Sequence, residues 1–416
     1  MRTELFFILF SKFYIQYVYS LIIVLLLFLP LIKKYTITVL SPEFINFIFL
    51  AFADSIPVFL FYIKKIDIDL FIYFLCFETA FILGLCIFKS NRLINKQSEK
   101  IDDENLSHLL FYLFFAIWIT ISFINFKNEG FGINKLYRLE NNSNITGPLT
   151  RFKDFASNYL LIFSIHCIFN KKYKKRSVFI ILLISVSYIL SGGKSGILNV
   201  IYFSYLYMVY YLHNIKAIKK LKKYLPVIII SPIVIYLVNG LSFGVALHNF
   251  LFRFIAYGDP YWLSLPNRTI TKIHYDYKFF QLFAGFLSPT KLFPNYLFED
   301  YLGIKLNSIL YPNITHISGA NARPPIFYYA LFNWYGIICG FILGVIISYV
   351  VFRLHKKMCK SFILSVIYFE IFIQSLLAII DPNAALSSLF SLLLNFIVIC
   401  CFSLLMGKYK FKIVKN

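Results

Sequence analysis

The sequence predicts an all-α, polytopic integral membrane protein: about eleven transmembrane helices (roughly ten to twelve), each near the ~20 residues that a bilayer crossing needs, with two long outer loops. Three observations predict it. The 416-residue chain is 59% hydrophobic and 14% charged, with a mean hydropathy of +0.73; a water-soluble domain carries roughly 45–50% apolar and about 25% charged residues. Apolar runs follow one another almost end to end. The basic residues behind the formal charge of +22 crowd into short connecting segments.

In chain order the apolar spans are 13–32, 40–63, 70–88, 108–126, 155–169, 178–190, 197–212, 225–247, 325–352, 362–380 and 384–406. Residues 5–32 form one unbroken apolar run, long enough to hold another element before the first span. The basic clusters are Lys171 to Arg176, Lys216 to Lys223, Arg353 to Lys360 and Lys408 to Lys415. Short cytoplasmic loops carry an excess of Lys and Arg, so all four are read as inside. Parity then puts 127–154, 191–196, 248–324 and 381–383 outside, with the C-terminus inside and the N-terminus outside. Lys64 and Lys65 fall outside against the rule, offset by Asp67 and Asp69. The whole of 1–416 reads as one membrane domain.

In a soluble protein so basic a balance would suggest nucleic acid. Here the positive-inside rule accounts for most of it, no nucleic-acid-binding motif is present, and the partner implied is the lipid bilayer. Of the seven cysteines, Cys76, Cys86, Cys167, Cys339, Cys400 and Cys401 lie in apolar spans and Cys359 in a basic segment. None falls outside, so no exterior disulfide framework is expected, and no CxxC pair suggests zinc. The first apolar run is too long for a cleavable signal peptide and lacks a small-residue cleavage site. No internal repeat is visible, which counts against transporters built from two related halves.

The segment 248–324 is punctuated by Pro260, Pro266, Pro289, Pro294, Pro312 and Pro324, yet is dense in Tyr, Phe and Trp. That composition is too aromatic for disorder. Short helices folding back on the outer face are expected, and this segment is the expected place of chemistry. Six basic residues stand out among those on the outer side: Arg138, Arg151, Lys194, Arg253, Arg268 and Arg323. The arginine fork matches phosphate oxygens bidentately, which suits the diphosphate of a lipid carrier; solvated loop charge is the plainer reading of any one of them. Arg253 stands at the end of an apolar span, where an idle charge is costly. Arg323, in Gly319-Ala-Asn-Ala-Arg-Pro-Pro, is fixed by backbone geometry. Lys194 sits in Ser191–Gly196 (SGGKSG), equally a phosphate-binding turn or a tight interhelical hairpin with a snorkelling lysine.

Asp259 is the first candidate for a general base and His316 the second; a helix cap or a salt bridge to Arg253 is an equal reading of Asp259. Asp54, Glu78, Glu370 and Asp381 are the carboxylates within or beside spans, and intramembrane acids are functional candidates by default. Asp381-Pro382-Asn383 reads more simply as a turn between the last two helices. No HExxH, Walker, DxD or Ser-His-Asp pattern is present.

The plan of spans and outer loops, the turn Ser191–Gly196, the segment Arg253 to Asp259, and Gly319–Pro325 followed by Trp334-Tyr335-Gly336 and Gly340 together resemble the Wzy-type O-antigen polymerases of bacteria, which join oligosaccharide repeat units. The resemblance implies an inner-membrane glycosyltransferase that moves a growing glycan from undecaprenyl diphosphate onto a new lipid-linked repeat unit. Arg253, Arg323, Arg138, Arg151 and Lys194 would bind the diphosphate, and Asp259 or His316 would serve as base. The resemblance further implies no metal or cofactor, and a chain-length regulator and a flippase as partners. The alternatives are an O-antigen ligase, sharing plan and donor, and a lipid-linked oligosaccharide flippase; long outer loops count against the flippase.

Overall fold

The computed structural model describes residues 1–88, 100–129, 147–190, 196–214, 240–313, 321–406 and 412–414, with isolated positions 230, 233 and 237. The described chain is helical apart from two three-residue strands, β1 (Lys100–Asp102) and β2 (Lys412–Val414), paired antiparallel with Ile101 opposite Ile413. Among the described residues six helices are long and apolar enough to cross a membrane, so the protein is a helical membrane protein. The chain divides into two compact units, one comprising 1–91, 251–353 and 372–390, the other 92–250, 354–371 and 391–416.

The first unit begins with α1 (Thr3–Lys12) and α2 (Tyr14–Tyr35), separated at Phe13. The long N-terminal run therefore holds two elements. α1 is fastened to the aromatic segment: Phe6 stacks on Trp262 at 4.1 Å, Thr3 N donates to Tyr311 Oη at 2.8 Å, and Arg2 Nε donates to the Leu310 carbonyl. α3 (Pro42–Tyr62) starts where the Ser41 hydroxyl accepts Phe44 N–H and Pro42 occupies the first turn, where its missing donor costs nothing. α4 (Ile68–Cys86) returns antiparallel.

The second unit holds α5 (Glu104–Glu129), α6 (Gly147–Phe169), α7 (Lys174–Leu190) and α8 (Gly196–Leu206), which continues as a π-helical turn over Tyr207–Tyr211. The helices extend into the expected outer loop 127–154, so Arg151 is helical; Gly147-Pro148 opens α6, and proline is tolerated there. At one end of this unit Lys172 pairs with Glu104, and Lys171 to Arg176 form the α6–α7 turn. At the same end the Asp103 carboxylate accepts N–H bonds from Phe362 (3.1 Å) and Ile363 (2.8 Å), capping the helix that begins at Phe362.

After α9 (Phe243–Ala256), the aromatic segment folds as short helices, as its composition suggests. These are α10 (Asp259–Ser264), a 3-10 stretch (Pro266–Lys272), α11 (Lys278–Leu282), α12 (Ala284–Leu287) and α13 (Leu302–Leu310). Tyr261, Trp262, Leu263, Ile270, Tyr275, Leu302 and Leu306 of this segment are buried. α14 (Pro324–Phe332) and α15 (Gly336–Tyr349) follow, with a π turn (Val350–Leu354) and α16 (His355–Met358). α17 (Phe362–Leu377) and α18 (Pro382–Leu405) complete the helices.

α4 and α15 cross very closely. A Cβ added at Gly84 would strike the Phe341 carbonyl oxygen, and one at Gly344 the Phe81 carbonyl oxygen. Gly336, Gly340 and Gly344 recur every fourth residue on α15, so small residues line one face and let the backbones meet. Beside the crossing Tyr73 Oη donates to the Pro325 carbonyl at 3.1 Å. Lys34 Nζ donates to the Leu85 carbonyl and Ser348 Oγ to the same oxygen, while Arg353 lies 5.7 Å from the Phe88 ring centroid. Lys34 and Arg353 thus mark one end of the first unit. The turn carrying Asp67 and Asp69 lies at the other end of α3 and α4, bonded to Arg268 of the aromatic segment.

Candidate functional site

Arg323 is the centre of the site. Pro324 follows it, and the residue before a proline is driven out of the helical region; Arg323 accordingly adopts φ −51°, ψ 132° and caps α14, its carbonyl accepting Phe327 N–H at 2.8 Å. The side chain turns inward and is 0% exposed. Nε donates to the Tyr257 carbonyl at 2.8 Å and Nη1 to the Ile379 carbonyl at 3.4 Å. Nη2 is buried with no hydrogen-bond partner among the described residues. The guanidinium carbon also lies 5.5 Å from the Tyr257 ring centroid.

Asp259 faces this guanidinium from the first turn of α10. Gly258 precedes it and packs so tightly on α3 that an added Cβ would strike the Ile56 side chain and crowd Ala53. Only glycine admits that approach, which brings α10 against Asp54: Tyr261 Oη donates to Asp54 Oδ1 at 2.8 Å. Asp259 Oδ1 is buried without a partner among the described residues, and so are Asp54 Oδ2 and Glu78 Oε2. Burial pushes the Asp259 carboxyl up to about 7, and the Arg323 charge pulls the other way. Glu78 of α4 interacts electrostatically with Asp54 and Arg323, so one buried cation faces three acids from α3, α4 and α10.

The α17–α18 junction closes the site. Asp381 caps α18 by accepting Ala384 N–H (3.0 Å) and also accepts Ala322 N–H (3.2 Å), holding the strand that leads into Arg323. Asn383 is 4% exposed and Gln281 of α11 is 0% exposed. Neither side-chain amide has any partner among the described residues.

The structure therefore brings Asp259 and Arg323 together, and with them two of the intramembrane acids, Asp54 and Glu78. Arg253 lies in the last turn of α9 with an exposed side chain, and the guanidinium acting on Asp259 is that of Arg323. Arg268 is an exposed surface residue forked between Asp67 and Asp69. Arg151 belongs to the other unit, where Nη1 donates to Ser391 Oγ at 3.0 Å. Glu370 is buried in that unit as well. Arg138, Lys194 and His316 lie outside the described residues. Tyr261, Gln281 and Asn383 were not singled out from sequence. A tyrosine among thirty-one, or a lone amide in an apolar run, carries no local signal of its partners.

Among the described residues no group of three or more His, Cys, Asp or Glu side chains could hold a metal ion. Compared with known proteins, the chain matches no family model, no curated protein sequence and no solved structure.

Proposed function

We propose that this chain is a bacterial inner-membrane glycosyltransferase that polymerises undecaprenyl-diphosphate-linked oligosaccharide repeat units at the outer face, through about eleven membrane crossings. The carrying observation is a fully buried arginine with an N–H unpartnered among the described residues, beside Asp259, whose carboxyl burial pushes up to about 7. A buried polar group without a partner calls for an explanation. A ligand oxygen on Nη2 and a substrate hydroxyl on Asp259 Oδ1 supply one for both.

The reaction follows from these two groups. The acceptor sugar hydroxyl attacks the anomeric carbon of the donor glycan, the C–O bond to the diphosphate breaks, and the hydroxyl proton passes to Asp259. A base with a pKa near the working pH suits that transfer. The departing diphosphate gains negative charge where Arg323 stands, in a site closed to water, where a fixed cation acts strongly on developing charge. The products are the lengthened glycan on its new lipid and free undecaprenyl diphosphate. The broken phosphoester bond supplies the driving force, so the chemistry calls on no nucleotide.

The sequence resemblance and the ordered, aromatic segment 243–313 support this reading over a flippase, which has no use for a large folded element outside the spans. Deleting the gene should leave single repeat units on the lipid core while export of the unit continues. Repeat units trapped on the inner leaflet, or a core bearing no glycan at all, would contradict it.

A further inference from the structure

Gln281 and Asn383 play no part in the transfer just described, yet both are buried amides with their oxygen and nitrogen unpartnered among the described residues. Burying an amide without hydrogen bonds is costly, and two such residues leave four orphaned atoms. The fold puts them in one neighbourhood, next to Arg323. Gln281 lies in α11, which packs on α14, the helix that Arg323 caps, and α12 with Gly285 follows directly in the chain. Gly285 packs directly on the backbone of Asn383, where a Cβ would strike the Asn383 carbonyl oxygen. Asn383 stands two residues beyond Asp381, which holds Ala322 N–H beside Arg323. Arg323 in turn holds the Tyr257 carbonyl, two residues before Asp259. Linked contacts thus connect α11, the start of α18, the stretch before α14 and the start of α10, with the Gln281 and Asn383 amides unsatisfied among the described residues.

We infer that Gln281 and Asn383 form the sugar-binding subsite of this centre, taking hydroxyl or acetamido groups of the repeat unit whose hydroxyl is presented to Asp259. A primary amide offers two donors and an acceptor in one plane, which matches neighbouring hydroxyls on a sugar ring and gives no advantage toward a diphosphate. Phosphate recognition falls to Arg323 and glycan recognition to the amide pair. The inference rests on the polymerase reading for the identity of the glycan, but not for the existence of the subsite.

The experiment uses the purified full-length chain in detergent and two probes. One is the free oligosaccharide released by mild acid from the lipid-linked repeat units of the deletion strain; the other is inorganic diphosphate. Binding is read as ligand-induced protection in thermal unfolding. The oligosaccharide should protect the wild-type chain, and Gln281→Leu or Asn383→Leu should each weaken that binding by roughly three- to tenfold, the loss of about one hydrogen bond. Diphosphate protection should be unchanged in both. Gln281→Met, nearly isosteric, serves if either leucine variant does not accumulate. Absence of oligosaccharide protection in the wild type, or wild-type affinity in the Gln281 variants, would overturn the subsite. Oligosaccharide binding that depends on both amides, in a chain that forms no polymer, would keep the subsite and remove the polymerase reading.

Discussion

Arg323 has two jobs to separate. It ties the Tyr257 and Ile379 carbonyls together, and in the proposed reaction its Nη2, unpartnered among the described residues, takes a ligand oxygen. Removing one partner of a buried charge cluster is strongly destabilising, by roughly 3–5 kcal/mol, so Arg323→Ala should fail to accumulate and says nothing about chemistry. Arg323→Lys keeps the charge and loses the fork. Its polymer output should fall about ten- to a hundredfold, as expected for losing a charge-assisted contact of roughly 1.5–3 kcal/mol, with its level in the membrane measured alongside. Arg268→Lys should leave the glycan ladder unchanged, because Arg268 is exposed and its bridges to Asp67 and Asp69 are at the surface. Asp259 provides a test with a sign. Its folded pKa lies near 7, raised above the ordinary 3.8, so between those values the folded protein holds a proton that the unfolded chain has released. Stability from this site is present below the lower value and is lost as pH rises toward 7. Asp259→Asn should therefore melt higher than wild type at pH 8 and show little gain at pH 4, while polymerisation is lost at every pH. In the wild type, activity should rise with pH through about 7 as the base loses its proton. Arg323 was legible in the sequence because Pro324 fixes its backbone. Arg253 was not separable from it: both border the same segment, and only tertiary packing buries one and exposes the other.

Among the elements, the α4–α15 crossing bears most directly on the site, since α4 carries Glu78 and α15 continues from α14, which Arg323 caps. With backbones in contact at Gly84 and Gly344, no side chain can be inserted without moving a helix. Gly344→Val or Gly84→Val should lower the amount of folded protein in the membrane, read by fluorescence-detected gel filtration. Gly244→Ala, where an added Cβ meets nothing within 4 Å, should be neutral. The four-residue recurrence of Gly336, Gly340 and Gly344 was visible in the sequence, but its partner helix was not, because spacing names a face without naming what covers it. Among the described residues, six long apolar helices overlap runs read from sequence, the expected span 225–247 lies largely outside the described residues, and short helices are present within 248–313. The separate helix α1 was legible only as excess length. Its break at Phe13 follows from docking on Trp262 and Tyr311, far along the chain.

At the scale of the molecule, the first unit carries basic residues at both ends of its helices. Arg268 joins the aromatic segment to Asp67 and Asp69 at the end of the first unit away from Lys34 and Arg353. Asp67 and Asp69 on the turn after Lys64 and Lys65 offset those lysines and engage Arg268. If the end carrying Arg268 faces outward, a cysteine introduced at Ser308 should react with a membrane-impermeant thiol reagent in intact cells, and one at Val39, in the turn after the Lys34 end of α2, should not. The reverse pattern would invert the orientation.

The measurement that bears most directly on the central claim is reconstitution of the purified chain in liposomes supplied with undecaprenyl-diphosphate-linked repeat units, with glycan length read on a gel. The account predicts a ladder of products and release of undecaprenyl diphosphate from the wild type, both lost in Asp259→Asn and in Arg323→Lys at equal protein. A wild type that yields no ladder, or a full ladder from both variants, would contradict it.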